Sequence, residues 1–392
     1  MSNQLRLNLL ICSGLLAAAL PPPLAAQRLT QNPPLMGATV LKLLPPSPGN
    51  PRNTEGAFVT LKDGRILFAY SRFAGGDDND AATIVARFSP DGGKTWSESD
   101  TPVVDKEGGM NVMSVSLLRL KDGRIALFYL RKNSVADCRT YLRYSSDEGK
   151  TWSAPTLCIP EQGYFVLNND RVIQLRSGRL VSPVAWHKEK NGKYGSRGTA
   201  MAYLSDDAGK SWRRSRTELE CPTPSNAGFQ EPGVVELKDG RIMMFIRTQL
   251  GSQYLSYSTD GGDTWSEAQP STIQSPLSPA SIKRIPSTGE LLMAWNDHST
   301  IDPSYRAADL GERRTGGKRT PLTVAVSRDE GKTWIQAHDL LASPTGWYCY
   351  TAIHFVGSRV LLAFASGGDG LPGLSKMDLA YFDLADLKKT AR

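Results

Sequence analysis

Short apolar runs separated by polar turn residues set the rhythm of this chain. Ala57-Phe-Val-Thr60 leads into Leu61-Lys-Asp-Gly-Arg-Ile66, and Ile66-Leu-Phe-Ala-Tyr70 follows. Two apolar runs hinged on Asp-Gly predict a tight β-hairpin. The block returns at Leu120-Lys-Asp-Gly-Arg-Ile125, Leu175-Arg-Ser-Gly-Arg-Leu180 and Leu237-Lys-Asp-Gly-Arg-Ile242. It is looser at Pro286-Ser-Thr-Gly-Glu-Leu291, and Val356-Gly-Ser-Arg-Val360 sits in a sixth hairpin.

A second pattern interleaves with the first. It occurs five times, beginning at Ser89, Ser145, Ser205, Ser258 and Ser327, with Asp two residues on and Trp seven residues on, as in Ser145-Ser-Asp-Glu-Gly-Lys-Thr-Trp152. The Ser-to-Ser intervals of 56, 60, 53 and 69 residues are too long for a helical solenoid unit and suit a four-stranded blade with its loops. Within each box Asp accepts from backbone amides further along, Gly takes a positive φ, and Thr-Trp restarts a strand. The boxes therefore read as turns, and chemistry has to be sought elsewhere. Six hairpins with five boxes predict an all-β fold, a six-bladed β-propeller with four-stranded antiparallel blades over residues 37–386, its last blade completed by a strand from the other terminus.

Composition fits a turn-rich domain, with 36 Gly and 25 Pro in 392 residues. Residues 1–26 stand apart: Arg6 precedes an apolar stretch from Leu9 to Leu20, followed by Pro21-Pro-Pro-Leu-Ala-Ala26. That is the pattern of a secretory signal, and the stretch is too short for an ordinary spanning helix. The expectation is an exported protein, periplasmic or extracellular, with no membrane span in the mature chain. Cys138, Cys158, Cys221 and Cys349 remain after that segment; their spacing matches no metal motif, and buried free thiols are expected. The net charge of +7 favours an acidic partner. Lys and Arg are scattered among the hairpins rather than clustered, which argues against nucleic acid. Four histidines without a His-x-x-x-His pair argue against catalytic zinc, and no cofactor is implied.

Boxes and hairpins together resemble those of the sialidase (neuraminidase) superfamily over nearly the whole chain after the leader. Glu231-Pro-Gly-Val-Val-Glu236 running on to Arg247 is similar to the family segment that carries the carboxylate partner of the nucleophile and a substrate-carboxylate arginine. The resemblance thus assigns these parts to Glu231 and Arg247. A further family arginine precedes a Leu-Thr-Val strand leading into a box, which points to Arg319, with Arg313 and Arg314 nearby. The family tyrosine corresponds to Tyr350, with Tyr348 as a rival. The family's acid lies in a loop ahead of the first box, where Asp78 stands eighteen residues before Trp96 and Arg72 six before Asp78.

One slot departs from the family pattern. Where a Tyr/Phe-Arg-Ile-Pro motif is expected, this chain reads Asn53-Thr54-Glu55-Gly56. Arg52 is close by and fills the role only along a different backbone path, and an inward Glu55 would repel an anion. Asp170, in Asn168-Asn169-Asp170-Arg171, and His187, after Val184-Ala-Trp186, are further pocket candidates. The resemblance implies removal of a terminal sialic acid or related acidic sugar from a glycoconjugate, with Tyr350 and Glu231 as nucleophile pair and Asp78 as acid/base. Two other functions stay open: glycan binding without turnover, and a glycosidase or lyase acting on uronic-acid polysaccharide.

Overall fold

The computed structural model describes residues 29–222, 225–302 and 318–389. The expected leader, residues 1–26, and Arg313 and Arg314 lie outside the described residues. Among the described residues nearly all regular structure is β-strand, as the hairpin pattern requires, with one short 3-10 helix at Leu384–Lys388.

The strands form five sheets. Sheet I runs Arg52–Thr60, Ile66–Phe73, Ala82–Ser89, Thr101–Val104. Sheet III begins at Gln230–Glu236 and Ile242–Arg247, and sheet IV at Ser281–Arg284 and Leu291–Trp295. Sheet V runs Trp347–Val356, Arg359–Gly368, Leu371–Asp383, and is completed by Thr39–Leu44 from the start of the described chain, with Thr39 opposite Tyr381. Each of these four has four strands, whereas sheet II has nine.

Sheet II overturns the expectation of six separate four-stranded blades. Tyr164–Val166 pairs in parallel with Asp137–Ser145, at Tyr164 and Cys138, and antiparallel with Leu180–Lys190, at Tyr164 and His187. This one short strand joins the second and third hairpin units into a single sheet. The physical reason is that backbone amides and carbonyls left at a strand edge seek partners, and the link between the two units supplies them. Counting hairpins and boxes does not register such a link.

The turns formed as their chemistry dictates. In the second box Thr151 N and Oγ1 donate to Asp147 at 2.9 and 2.6 Å, and Gly149 N donates to Ser145 Oγ at 2.7 Å. Asp91, Asp207, Asp260 and Asp329 repeat the arrangement. Each box carboxylate is thus taken up by its own turn. Apolar faces then stack sheet on sheet: Phe58, Phe68 and Tyr70 of sheet I meet Leu361 and Leu379 of sheet V, and Val59, Leu67 and Ile84 meet Val112 and Leu127 of sheet II. The first strands of the sheets come together, Arg52–Thr60 against both Asn111–Arg119 and Trp347–Val356, and Ser281–Arg284 against both Gln230–Glu236 and Trp347–Val356. The site is built where these strands begin.

Candidate active site

Four of the first strands carry the same defect near their starts. Pairing slips between Thr54 and Ala57, Met113 and Ser116, Gln230 and Gly233, and Cys349 and Ala352. At each slip a non-glycine residue has a positive φ: Glu55 at 56°, Ser114 at 59°, Glu231 at 42° and Tyr350 at 54°. Holding an L-residue there costs roughly 1–3 kcal/mol and re-aims its side chain, a device concentrated at functional sites. At two of the four bulges, those of Glu55 and Glu231, the local sequence accommodates it with a nearby glycine. A Cβ on Gly56 would meet the Phe68 ring at 2.4 Å, and one on Gly233 the Phe245 ring at 2.2 Å.

The bulges bring distant residues together. Tyr350 OH donates to Glu231 Oε1 at 3.2 Å, and Arg247 Nη1 lies 2.6 Å from the same oxygen. Arg247 reaches it because it ends the strand opposite Glu231, pairing with Gln230. The Arg319 guanidinium lies 5.0 Å from the Trp347 ring centre and 5.4 Å from that of Tyr350, within cation–π range. Arg52, stacked 4.3 Å over Phe73, holds Asp78 Oδ1 at 2.5 Å. Asp78 has 58% of its side chain exposed, whereas Arg52, Glu55, Arg247, Arg319 and Tyr350 are all buried.

Electrostatics sharpen the assignment. Burial opposes the charge on Glu231, but Arg247 and Arg319 outweigh it and hold the carboxyl below its ordinary value. Burial, with the Glu231 charge beside it, pushes the Tyr350 hydroxyl up. At neutral pH the pair is therefore an ionised acceptor facing a protonated phenol. Burial lifts Glu55 to about 7, against the pull of Arg52. Arg52 and Arg319 stay charged despite burial, Arg52 held up by Asp78 and Glu55, and Arg319 with the ionised Glu231 near it. Buried polar atoms without partners gather here: Glu55 Oε2, Glu231 Oε2, and the Nε of Arg52, Arg247 and Arg319.

The sequence-derived residues divide. Arg52, Glu55, Asp78, Glu231, Arg247, Arg319 and Tyr350 come together. His187 is buried near Glu231 and Arg247, edge-on to Tyr164 and Tyr194, with Nδ1 2.9 Å from Gly195 O. Tyr348, the rival of Tyr350, packs edge-on against Phe364 in the core. Arg72 is corrected: it lies 3.6 Å from Asp100, which also takes Tyr70 OH at 2.7 Å. Side chains alternate along a strand, so Arg72 shares a face with Tyr70. Asp170 is corrected too. It holds Lys283 Nζ at 2.6 Å and accepts from Ile353 N at 2.9 Å, lining a cavity of about 410 Å³ with Leu118, Glu236, Lys283 and His354 at the later ends of the same strands.

Neighbouring Asn169 belongs with the site instead, its Nδ2 donating to Gly56 O at 2.8 Å and Tyr350 O at 3.0 Å. Asn169 stands in the stretch singled out through Asp170, whereas Ser114 and the fully buried Lys132 escaped sequence reasoning. Ser114 had a signal: like Glu55 and Glu231, it stands nine residues before its hairpin glycine (Gly123, against Gly64 and Gly240). The four cysteines within the described residues are buried and free, as expected. No group of His, Cys, Asp or Glu among the described residues is arranged to hold a metal, and no helix there is long and apolar enough to cross a membrane.

A family profile described as a BNR repeat-like domain matches residues 64–361. The chain is 30% identical over 281 residues to an anhydrosialidase of Macrobdella decora, an alignment covering 67% of this chain and 34% of that protein. It is 25% identical over 320 residues to a sialidase of Micromonospora viridifaciens, covering 73% and 46%. The chain thus spans less than half the length of either relative. Among solved structures, a Dyadobacter fermentans protein of unknown function has a TM-score of 0.68 at 18% identity, covering 89% of this chain and 99% of that one. A leech intramolecular trans-sialidase, complexed with 2,7-anhydro-Neu5Ac, has a TM-score of 0.66 at 15% identity, covering 87% and 69%. At such identities the likeness speaks for the fold.

Proposed function

The chain belongs to the BNR repeat-like family, in the sialidase superfamily, and we propose that it is an exo-glycosidase that removes a terminal sialic acid or closely related 2-keto acid sugar from glycoconjugates. The observation that carries this reading is the Tyr350–Glu231 hydrogen bond of 3.2 Å between residues 119 positions apart, ringed by Arg52, Arg247 and Arg319. The anomeric carbon of such a sugar bears a carboxylate, which repels an anionic Asp or Glu nucleophile but not a phenol that loses its proton only as it attacks. That accounts for a tyrosine in place of the usual second carboxylate.

In this mechanism the sugar carboxylate is held by Arg247, Arg319 and Arg52, the last reached through the bulge that begins two residues later. Each charge-assisted contact contributes about 1.5–3 kcal/mol. As the carboxylate takes over Arg52, the Asp78 carboxyl is freed to face the leaving oxygen. Tyr350 then attacks the anomeric carbon while its proton passes to Glu231, and Asp78 protonates the departing oxygen. Water, deprotonated by Asp78, releases the sugar from Tyr350, and Glu231 returns the proton. Two displacements retain the anomeric configuration. The leader pattern at residues 1–26 supports action outside the cytoplasm.

Tyr350→Phe tests the reading. Hydrolysis of a fluorogenic sialoside is expected to fall by about 10³-fold or more with an unchanged melting temperature; wild-type-like turnover would remove Tyr350 from the mechanism. Product anomer and mass, by NMR and mass spectrometry, separate hydrolysis from an intramolecular transfer that yields a sugar lighter by one water. The lack of an arginine in Asn53-Thr54-Glu55-Gly56, where the family motif carries one, favours a second reading, in which the sugar is a uronic acid. Activity on uronic-acid polysaccharide without activity on sialosides would select it, and new ultraviolet absorbance would mark a lyase.

A further inference from the structure

We infer that Lys132 is the positioning residue for Asp78, fixing the loop that presents this carboxyl to the leaving group. The inference rests on the reading of Asp78 as proton donor and adds a residue from another sheet to it.

Lys132 lies near the end of Ile125–Ser134 in sheet II and is fully buried. Among the described residues it has no ion-pair partner. Its ammonium instead donates to Asp78 O at 3.2 Å and Asn79 Oδ1 at 2.7 Å, and sits 5.2 and 5.9 Å from the ring centres of Tyr164 and Tyr194. Stripping water from an ammonium is costly, and removing the groups that compensate it more so. Here that compensation comes from the aromatic faces and from the loop carrying Asp78. Burial pulls the Lys132 pKa down, with Asp78 and Asp77 pulling the other way.

Asn111, directly across the ladder from Lys132, reaches the same loop. It too is fully buried, and its Nδ2 donates to Asp78 O at 2.9 Å and Asp80 O at 2.8 Å. Two neighbouring side chains of sheet II thus grip the backbone of a loop that belongs to sheet I. The loop's own bonds are local: Asp80 N to Asp77 O at 3.1 Å, and Asp77 N to Asp80 Oδ2 at 2.8 Å. These shape the turn without setting its place over the site. With the backbone held from below, the Asp78 carboxyl is left facing Arg52 and solvent.

A positioning role for a proton donor has a signature that general damage lacks. An alkyl ketoside needs its leaving oxygen protonated, whereas an aryl ketoside with an acidic phenol leaves largely unaided. Lys132→Met is expected to lower kcat on an alkyl sialoside by about 10- to 100-fold, on the aryl sialoside by less than about threefold, and to leave KM nearly unchanged. Asn111→Ser, which removes the second grip, is expected to show the same split in weaker form and serves if Lys132→Met does not fold. Hydrogen exchange needs no turnover: amides of residues 74–81 are expected to lose protection in either variant while the rest of sheet I keeps it. Equal losses on both substrates, or unchanged exchange in that loop, would overturn the role of Lys132. Asp78→Asn isolates the underlying reading, since full activity of that variant on the alkyl substrate removes the acid assignment whatever the exchange shows.

Discussion

The two ends of the first strands are both crowded with paired charge, and they differ in how much of it is left unsatisfied. At the later ends three cations have an acid, Lys283 on Asp170 at 2.6 Å, Arg284 on Glu330 at 2.7 Å and Arg176 on Glu236 at 3.0 Å, while Arg171 donates to Ser281 Oγ and Ala280 O. His354 is matched with Thr60 Oγ1 at 2.8 Å. At the starting ends Arg52, Arg247 and Arg319 each keep a buried Nε without a partner, and Glu55 and Glu231 each keep such an oxygen. Buried atoms without partners occur elsewhere too, Arg171 Nε and the Nε1 of Trp265, Trp295 and Trp334 among them, but a folded chain leaves few unsatisfied, and five on charged side chains brought together mark a place where a polar ligand completes the bonding. The cavity at the other end is a seam between sheets. Charge alone does not separate a site from a seam; a cluster of acids and cations that together keep unsatisfied atoms does.

Three substitutions break or sharpen this contrast. Glu231→Gln removes the ionised acceptor from Tyr350 while keeping its shape, and kcat is expected to fall by about 10²- to 10⁴-fold, measured on a sialoside, with the fold retained by circular dichroism. Asp170→Asn makes the parallel change at the other end. Both residues hold a positive φ, and Asn tolerates that conformation, so the effect isolates the lost charge. Stability is expected to drop by about 2–4 kcal/mol in denaturant melts, because Lys283 loses its carboxylate, with kcat within about twofold of wild type. Equal damage to turnover from both substitutions would erase the distinction between the ends.

Glu55→Gln is the smallest and most specific test. Burial lifts Glu55 to about 7, above its ordinary 4.5, so below neutral pH the carboxyl in the folded protein is uncharged and does not oppose an anion. Above that pH its charge stands beside Arg52, and KM for an acidic sugar is expected to climb roughly severalfold by pH 8, a rise that Glu55→Gln flattens. The sign for stability follows: a raised pKa means a contribution fully present below about 4.5 and lost as the pH rises through about 7. A KM profile indifferent to this substitution would place Glu55 outside the anion's reach.

Much of this was legible in the sequence, for reasons that differ by residue. Asp147 and Gly149 announce their turn because turn chemistry acts within a few residues, and Glu231 and Arg247 are sixteen apart across a single hairpin. Arg72 misled because spacing cannot tell which face of a strand a side chain takes. Asp170 misled by one position, since its neighbour Asn169 is the residue that ties Gly56 to Tyr350. Lys132 carries no sequence signal, its partner loop lying in another sheet.

By itself the sequence determined the strands and the turns, which rest on periodicity and on hydrogen bonds between near neighbours, and it offered the candidate constellation only through resemblance to a family. Tertiary structure decided what depends on contacts across sheets: that Tyr164–Val166 fuses two units into nine strands, that a bulge turns Arg52 and Glu55 into the site, and that buried arginines hold Glu231 ionised against Tyr350. Backbone pairing at an edge and desolvation in a shared interior leave no mark on local composition, because both are properties of what lies opposite.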